Sequence, residues 1–469
     1  MTATELGYDL AEQLRNVDSD SYISVLLGAG ASVGAGLPDW THFLVRCLIE
    51  SGAIQDSDLA RAFVQQQDLT LVAEAAKSAA GDLWPAVLRQ ALYGADRRIP
   101  PAELHTATAA LAALRGPDKI GLFTLNYDLL LEAALKEVLN EWHIGEKVST
   151  RSTGRRANSG FEVHHLHGVL PPTGTSAASV ILTISDYNEL GRRNRPWQVA
   201  ALQDALQRGP LLLAGTSYRD PDIRQWMHEI LADDDGSGYP VVVFLARESL
   251  GLTRSQFEAV RQPLIDQWAA IGVNVLTTGD HLDAAQALRE LPMLRQENYA
   301  PPNSRAERIW HRHSLAFDEL QQEYSAQLED DIRTIQEVLP DTANMTLWIA
   351  DDRQKLVRWA ANDRIYKRLD DLRRIESGHD SEWIAGRCLA RSDLLAQDVD
   401  QTPTTRWRSV MAVPLVLAVE GGPAFPYGVL TTASTASLDD QPLDLVDQTY
   451  ANLSIEWSER LVRTHDSAF

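Results

Sequence analysis

The tightest constraint in this chain is a short apolar run, Tyr22–Leu27, that ends in Gly28-Ala-Gly-Ala-Ser-Val-Gly-Ala-Gly-Leu-Pro-Asp-Trp40. An apolar run of that length, closed by turn residues, reads as a buried strand. Glycines directly after it permit a sharp turn and a close backbone approach to a ligand. A helical stretch, Trp40–Glu50, follows. Strand, glycine-rich turn and helix together open a parallel α/β sheet with a site for a nucleotide phosphate. The competing reading is a tight strand-to-helix turn with no ligand. The run is not the plain dinucleotide fingerprint, because Ala29 and Ser32 sit inside it and Pro38 interrupts the helix start. No lysine follows the glycines, which disfavours a Walker-type phosphate loop.

The next apolar segments repeat the alternation. Strands are expected at Ile120–Thr124, Glu162–Leu166, Val180–Thr183, Pro210–Ala214, Val241–Leu245 and Val273–Thr277, with helices such as Ala102–Leu114 and Trp197–Gln207 between them. That is the pattern of a Rossmann-like parallel sheet over residues 1–298. Residues 51–98, rich in Ala, Gln and Leu, read as a helical insertion, a lid or a small module. Tyr299-Ala-Pro-Pro-Asn-Ser304 marks a linker. Ser304 and Glu307 have capping-box spacing. Phe317, Leu320, Tyr324, Leu328, Ile332 and Ile335 then recur at helical spacing, so one linking helix is expected over 303–339, ending before Pro340. Its apolar stripe packs on an adjacent domain or forms a dimer seam.

Residues 342–465 change character. Thr346–Ala350 with Leu356–Ala360, and Val410–Val419 with Gly428–Ala433, read as hairpins. Two helical stretches lie between them, the second from about Trp383, and a final helix is expected at Leu443–Val462. This is an α+β domain. The 469 residues are ample for these units.

Lys+Arg 43 against Asp+Glu 65 gives a net charge of -22. Such a chain is a poor phosphate-backbone binder, so no direct nucleic-acid contact is expected. Its two cysteines, Cys47 and Cys388, exclude a disulfide scaffold and a zinc site built on Cys pairs. The start has no basic region followed by an apolar core, and no run of about 18 apolar residues exists. A cytoplasmic protein without a membrane partner is expected.

Three more motifs carry polar groups at expected strand ends. Thr124-Leu-Asn-Tyr-Asp128 places Asn126 and Asp128 on one side if extended, or forms a turn and helix cap. His164-His-Leu-His-Gly168 places His165 and His167 on one face by strand alternation, and His164 on the other. A metal would need a third ligand that this neighbourhood lacks, so no metal is expected. His167, before a glycine at a strand terminus, suits acid–base work. Leu211-Leu-Leu-Ala-Gly-Thr-Ser-Tyr-Arg-Asp220 ends in Gly215, Thr216 and Ser217, small groups able to meet a ribose or phosphate, and Asp220 reads as a helix cap. All four motifs fall at carboxyl ends of strands in one sheet, where open α/β sheets bind ligands.

Taken together, GAGASVGAGLPDW, TLNYD, HLHG and LLLAGTS resemble the sirtuin family over about residues 20–280. The run Gly215-Thr-Ser-Tyr-Arg-Asp-Pro-Asp-Ile-Arg224 is most similar to the bacterial sirtuin-like branch that hydrolyses NAD in antiphage defence. The resemblance implies that Gly28, Ala29, Gly30 and Ser32 cradle NAD phosphates. It implies Asp39 and Asn126 near the nicotinamide and its ribose, and Asp128 holding the amide or ordering the loop. His167 would be the catalytic histidine. Gly215, Thr216 and Ser217 would hold the adenosine half, with Asn274 at its ribose. Departures from the deacylating sirtuins are the missing zinc cysteines, Trp40-Thr41 where they carry Phe-Arg, and Leu125 where they carry Gln. These leave NAD cleavage standing and put peptide deacylation in doubt.

Arg406-Trp-Arg-Ser-Val-Met-Ala-Val-Pro-Leu415, Tyr427-Gly-Val-Leu-Thr-Thr-Ala-Ser434 and Trp383-Ile-Ala-Gly386 resemble a GAF domain. That implies a sensor or dimerisation module. Cys388 there is either a haem or bilin attachment site or core packing. The whole then reads as an NAD glycohydrolase, an abortive-infection effector and homo-oligomer, gated by an unidentified ligand or phage component at the GAF-like domain. The alternatives are a non-catalytic NAD or ADP-ribose sensor and a zinc-less protein deacylase.

Overall fold

The computed structural model describes residues 3–17, 22–95, 98–155, 159–174, 180–192, 196–217, 220–232, 238–400, 406–441 and 446–466. The chain divides into two compact units, residues 16–277, and residues 1–15 together with 278–469.

After α1 (Tyr8–Val17), the first unit runs β1 (Ile23–Leu27), α2 (Ala29–Val33), α3 (Trp40–Glu50), α4 (Ser57–Gln66), α5 (Leu69–Ala80), α6 (Trp84–Tyr93), α7 (Glu103–Arg115), β2 (Ile120–Thr124), α8 (Leu130–Glu141), β3 (Val148–Arg151) and β4 (Phe161–His165). It continues with α9 (Ile184–Gly191), α10 (Trp197–Arg208), β5 (Leu211–Ala214), α11 (Pro221–Ala232), β6 (Val241–Ala246), α12 (Arg254–Ala269) and β7 (Asn274–Thr278). The seven strands form one sheet in the order β3-β4-β2-β1-β5-β6-β7. β1 pairs parallel with β2 on one side and β5 on the other. Both central neighbours and β1 itself are buried along their length, as their unbroken apolar runs require.

Register decides where the motifs land. Leu27 lies opposite Thr124 and Ala214, and Thr124 lies opposite His165. The last residues of β5, β1, β2 and β4 therefore form one row, and each motif continues from it. Helices α4, α5 and α6, which lie between β1 and β2 in the chain, pack on α3 around Leu44, Leu48, Val64, Val72 and Leu88.

Two expectations fail here. Val180–Thr183 is not a strand: it is extended chain whose Thr183 caps α9, with Oγ1 accepting from the Asp186 amide. β3 was not expected, since Val-Ser-Thr-Arg carries too little apolar signal to mark an edge strand.

The second unit holds α13 (His281–Glu290), α14 (Pro302–Leu315), α15 (Phe317–Val338), β8 (Thr342–Ala350), β9 (Leu356–Ala361), β10 (Arg374–Ile375), α16 (Ile384–Arg391), β11 (Leu395–Asp398), β12 (Ser409–Leu417), β13 (Phe425–Ser434) and α17 (Val446–Asp466). Its strands form an antiparallel sheet, β10-β9-β8-β13-β12-β11. One helix, α16, stands where two were expected, the remainder being a short helical turn and β10. The linking helix is also two pieces, broken at Ala316 (φ −100°, ψ 24°). Its start is Pro301–Pro302 with no capping box, because Ser304 Oγ bonds its neighbour Asn303 instead. The stripe Leu320, Tyr324, Leu328, Ile332 and Ile335 is buried in this unit's own core with Trp359 and Trp457. The compact unit thus begins at 278, whereas the boundary was expected near 298.

Candidate functional site

β1 ends against the turn that follows β5. Gly28 N–H donates to the Ala214 carbonyl (2.9 Å) and Gly30 N–H to the Gly215 carbonyl (2.9 Å). A Cβ on Gly28 would lie 2.6 Å from Gly215 O and 2.8 Å from Thr216 Cα. Gly215 has φ +66° and a Cβ there would lie 2.7 Å from the Ala31 amide nitrogen. Both positions need glycine, one for space and one for conformation as well. The amides of Gly28, Gly30 and Ala31 bond protein carbonyls, the last to Gly28 O at 3.0 Å. Ala29, at the start of α2, is exposed.

Ser32, on α2, joins this turn to the β2 end. Asn126 Nδ2 donates to Gly28 O (3.0 Å) and to Ser32 Oγ (2.8 Å), and Ser32 Oγ donates to Asp128 Oδ2 (2.7 Å). Asp128 Oδ1 accepts from the Leu130 amide at the start of α8 (3.0 Å). Asn126, Asp128 and Ser32 are all buried. Because Gly28 O can only accept, the Asn126 nitrogen must face it, and Oδ1 must face away. Oδ1 makes no hydrogen bond among the described residues.

The histidines separate. β4 stops at His165 and a turn follows, so strand alternation never reaches His167 and the expected shared face is corrected. His165 is fully buried, with Nδ1 at 2.9 Å from the Asn126 carbonyl and Nε2 at 2.9 Å from Glu132 Oε1 on α8. Thr150 Oγ1 of β3 also donates to that oxygen (2.6 Å). Burial opposes the imidazolium, but the Glu132 hydrogen bond and charge outweigh it and raise His165 above the ordinary value. His167, 3% exposed, sets Nε2 3.0 Å from Asp222 Oδ2 in the first turn of α11. Its ring lies 5.7 Å from that of Trp226 and 6.0 Å, edge-on, from that of Tyr187 on α9. Burial lowers its affinity for a proton; the Asp222 hydrogen bond and the charges of Asp220 and Asp222 raise it further than burial lowers it. Asp220 caps α11 as expected, accepting from the Ile223 amide (3.0 Å), and burial pushes its carboxyl up. His164 turns elsewhere, to Arg151 and Glu162.

Of the remaining candidates, Thr216 Oγ1 is buried without a hydrogen bond among the described residues, a position that suits a ligand hydroxyl or phosphate oxygen. Ser217 follows it; Tyr218 and Arg219 of the same motif lie outside the described residues. Asp39 caps α3, accepting from the His42 amide (2.7 Å), and is half-exposed. Asn274 is not brought to this cluster: it is the exposed first residue of edge strand β7, whereas the others follow the last residues of their strands. A cavity of about 500 Å³ lies between Gly36–Leu37 and Gln90–Tyr93 of α6, so the helical insertion walls space beside the glycine turn.

Glu132 and Asp222 were given no role from sequence. The available signals were Glu132 itself, a carboxylate within the apolar run Leu129-Leu-Leu-Glu-Ala-Ala-Leu135, and the place of Asp222 in the run Gly215–Arg224. Among the described residues no three His, Cys, Asp or Glu side chains gather as a metal site, and no helix is long and apolar enough to cross a membrane. Cys388 is buried, its thiol pushed up by burial and donating to the Asp393 carbonyl (3.3 Å), which is core packing.

Comparison with known protein families matches residues 121–276 to the SIR2-like domain, a family of NAD-dependent enzymes. The match covers the row of strand ends from β2 onward and supports a sirtuin-like fold for the α/β unit. The glycine turn at 28–36 precedes the matched segment. No curated protein matches the chain.

Proposed function

We propose that the α/β unit binds NAD and hydrolyses the bond between nicotinamide and its ribose, giving nicotinamide and ADP-ribose. The observation that carries this reading is Asn126, clamped at Nδ2 by Gly28 and Ser32 with Oδ1 left over, beside the glycine turn. The pyridinium is a good leaving group, so the protein's task is to position a water and accommodate positive charge on the ribose. Asn126 Oδ1 accepts a hydrogen from that water and aims its oxygen. Asp128 keeps Ser32, and so Asn126, in place. His167 meets the ribose hydroxyls or takes a proton. Gly28, Ala29, Gly30, Ser32, Gly215, Thr216 and Ser217 line the side for the phosphates and adenosine half. Asp39 sits at the start of α3 toward the nicotinamide end.

Unregulated NAD hydrolysis would drain a cell, so the activity needs a gate. The second unit, read as GAF-like, is the proposed sensor or assembly element, and a homo-oligomeric abortive-infection effector in the cytoplasm is the biological role that fits. Purified protein incubated with NAD, with products separated by chromatography, tests the chemistry. Nicotinamide release at the wild-type rate by Asn126→Ala or His167→Ala removes the assignment. NAD levels in cells with and without phage challenge, beside Asn126→Ala, test the role.

A further inference from the structure

The two buried histidines at the end of β4 each touch a carboxylate, but they are not equivalent. His165 has both ring nitrogens engaged, by the Asn126 carbonyl and by Glu132. No ring atom remains for proton transfer. His167 has one nitrogen engaged, Nε2 with Asp222, and Nδ1 makes no hydrogen bond among the described residues.

We propose that Asp222 is the positioning residue of the site: it accepts the Nε2 proton of His167, fixes the tautomer with the lone pair on Nδ1, and makes Nδ1 the atom that receives a proton from a ribose hydroxyl or water. This rests on the reading of the site as one that cleaves NAD. Three observations support it. First, a carboxylate can only accept, so the 3.0 Å contact assigns the proton to Nε2. Second, the Trp226 and Tyr187 rings pack about the imidazole, which opposes the ring flip that would exchange the nitrogens. Third, Asp220, the other nearby carboxylate, is spent on the Ile223 amide as a helix cap. The proton moves from the hydroxyl to Nδ1, the imidazolium is held by Asp222, and the oxygen keeps the electron pair of the broken O–H bond.

The groups facing His167 are Asp220 and Asp222 at the start of α11, Trp226 of α11, and Tyr187 of α9; the Tyr127 hydroxyl lies within the field of the two carboxylates. Of these, Asp222 alone is hydrogen-bonded to the ring. As base, His167 works only when neutral, so kcat/KM should rise with pH through its raised titration point.

The test is Asp222→Asn beside Asp222→Glu in the full chain. For Asp222→Asn, kcat should fall by ~10²-fold or more with NAD affinity within about threefold of wild type, and the acid limb of kcat/KM should move to lower pH. Asp222→Glu should restore much of kcat and return the limb toward its original position. An unmoved limb with wild-type kcat overturns the proposal while leaving NAD cleavage intact. If instead the wild type releases no nicotinamide, the underlying reading fails, and nitrogen-15 NMR of the His167 ring still decides the proposal. It requires Nε2 protonated and Nδ1 bare in the neutral wild-type ring, with that preference lost in Asp222→Asn. A protonated Nδ1 overturns it.

Discussion

Replacing Glu132 should unsettle the α/β unit more than any exposed carboxylate would. Glu132 Oε1 receives both the Thr150 hydroxyl (2.6 Å) and His165 Nε2 (2.9 Å), so one side chain of α8 ties β3 to β4. Through His165 Nδ1 it also holds the Asn126 carbonyl. Glu132→Ala strands a buried imidazole N–H and a hydroxyl. Breaking a buried pair from one side costs ~3–5 kcal/mol, a large share of the ~5–15 kcal/mol that keeps a domain folded. Glu132→Gln keeps an acceptor and loses the charge. The difference between charged and neutral hydrogen bonds puts its cost at about 1 kcal/mol near neutral pH.

The two variants should also differ from wild type in pH dependence. His165 is raised in the folded state relative to the unfolded chain, mainly through the Glu132 hydrogen bond working against burial. Its contribution is complete below the unfolded value of about 6.5 and is lost as pH rises through the folded value. Glu132→Gln removes that contribution, so its deficit should be largest near pH ~6 and shrink toward pH ~9. Urea unfolding of the full chain, followed by circular dichroism at several pH values, measures it. A Glu132→Ala cost below about 1 kcal/mol, or a Glu132→Gln deficit that grows with pH, refutes the reasoning.

Three further substitutions probe the surroundings of the site. Gly28→Ala should abolish NAD binding in calorimetry without unfolding the chain, since its Cβ would strike Gly215 O and Thr216 Cα; affinity within threefold of wild type sinks this. Thr216→Val removes a buried hydroxyl that has no partner among the described residues, so the ligand-free protein should keep or gain stability, by ~1 kcal/mol, while NAD binds about tenfold more weakly; equal affinity would free Thr216 of any ligand role. Arg89 of α6 is buried; among the described residues its Nε and Nη2 are unbonded and its Nη1 reaches only the Pro85 carbonyl (3.2 Å). Arg89→Met should therefore raise the thermal midpoint, at ~2–4 °C per kcal/mol for a unit of this size, and a clear fall in midpoint shows that the charge is compensated.

How much of this was legible depends on whether an interaction is local in sequence. β1, β2, β5 and β6 announce themselves because each is a short apolar run buried on both faces, bounded by turn residues. β3 is polar and visible only through its partner β4. Val180–Thr183 has strand composition, but its Thr183 serves the α9 cap. The stripe from Phe317 to Ile335 was readable as a buried face. The break at Ala316 was not, because Ser314-Leu-Ala316 contains neither glycine nor proline and the burial pattern runs on through it, from Ile309 and Trp310 to Phe317 and Leu320. In the site, motif order implied that Gly28, Asn126, His167 and Gly215 converge. Pairings across dozens of residues, Glu132 with His165 and His167 with Asp222, left no local trace.

The glycine turn itself carries a sharper consequence than its sequence suggested. On the proposed reading, a chain of net charge -22 holds an anionic dinucleotide without a field of positive charge, and helix amides are the obvious resource. Yet the amides of Gly28, Gly30 and Ala31 are already bonded to Ala214, Gly215 and Gly28 carbonyls. Their task is to weld the end of β1 to the turn after β5, and the absence of a Cβ at Gly28 and Gly215 is what lets two backbones meet there. On that reading phosphate binding falls to groups that this weld presents and leaves over: the exposed start of α2 at Ala29 and the Thr216 hydroxyl, which has no hydrogen bond among the described residues. On this view the glycines act first on the protein and only through it on the ligand. That is why a single methyl at Gly28 should remove binding while leaving β1, whose ladder lies outside the turn, in place.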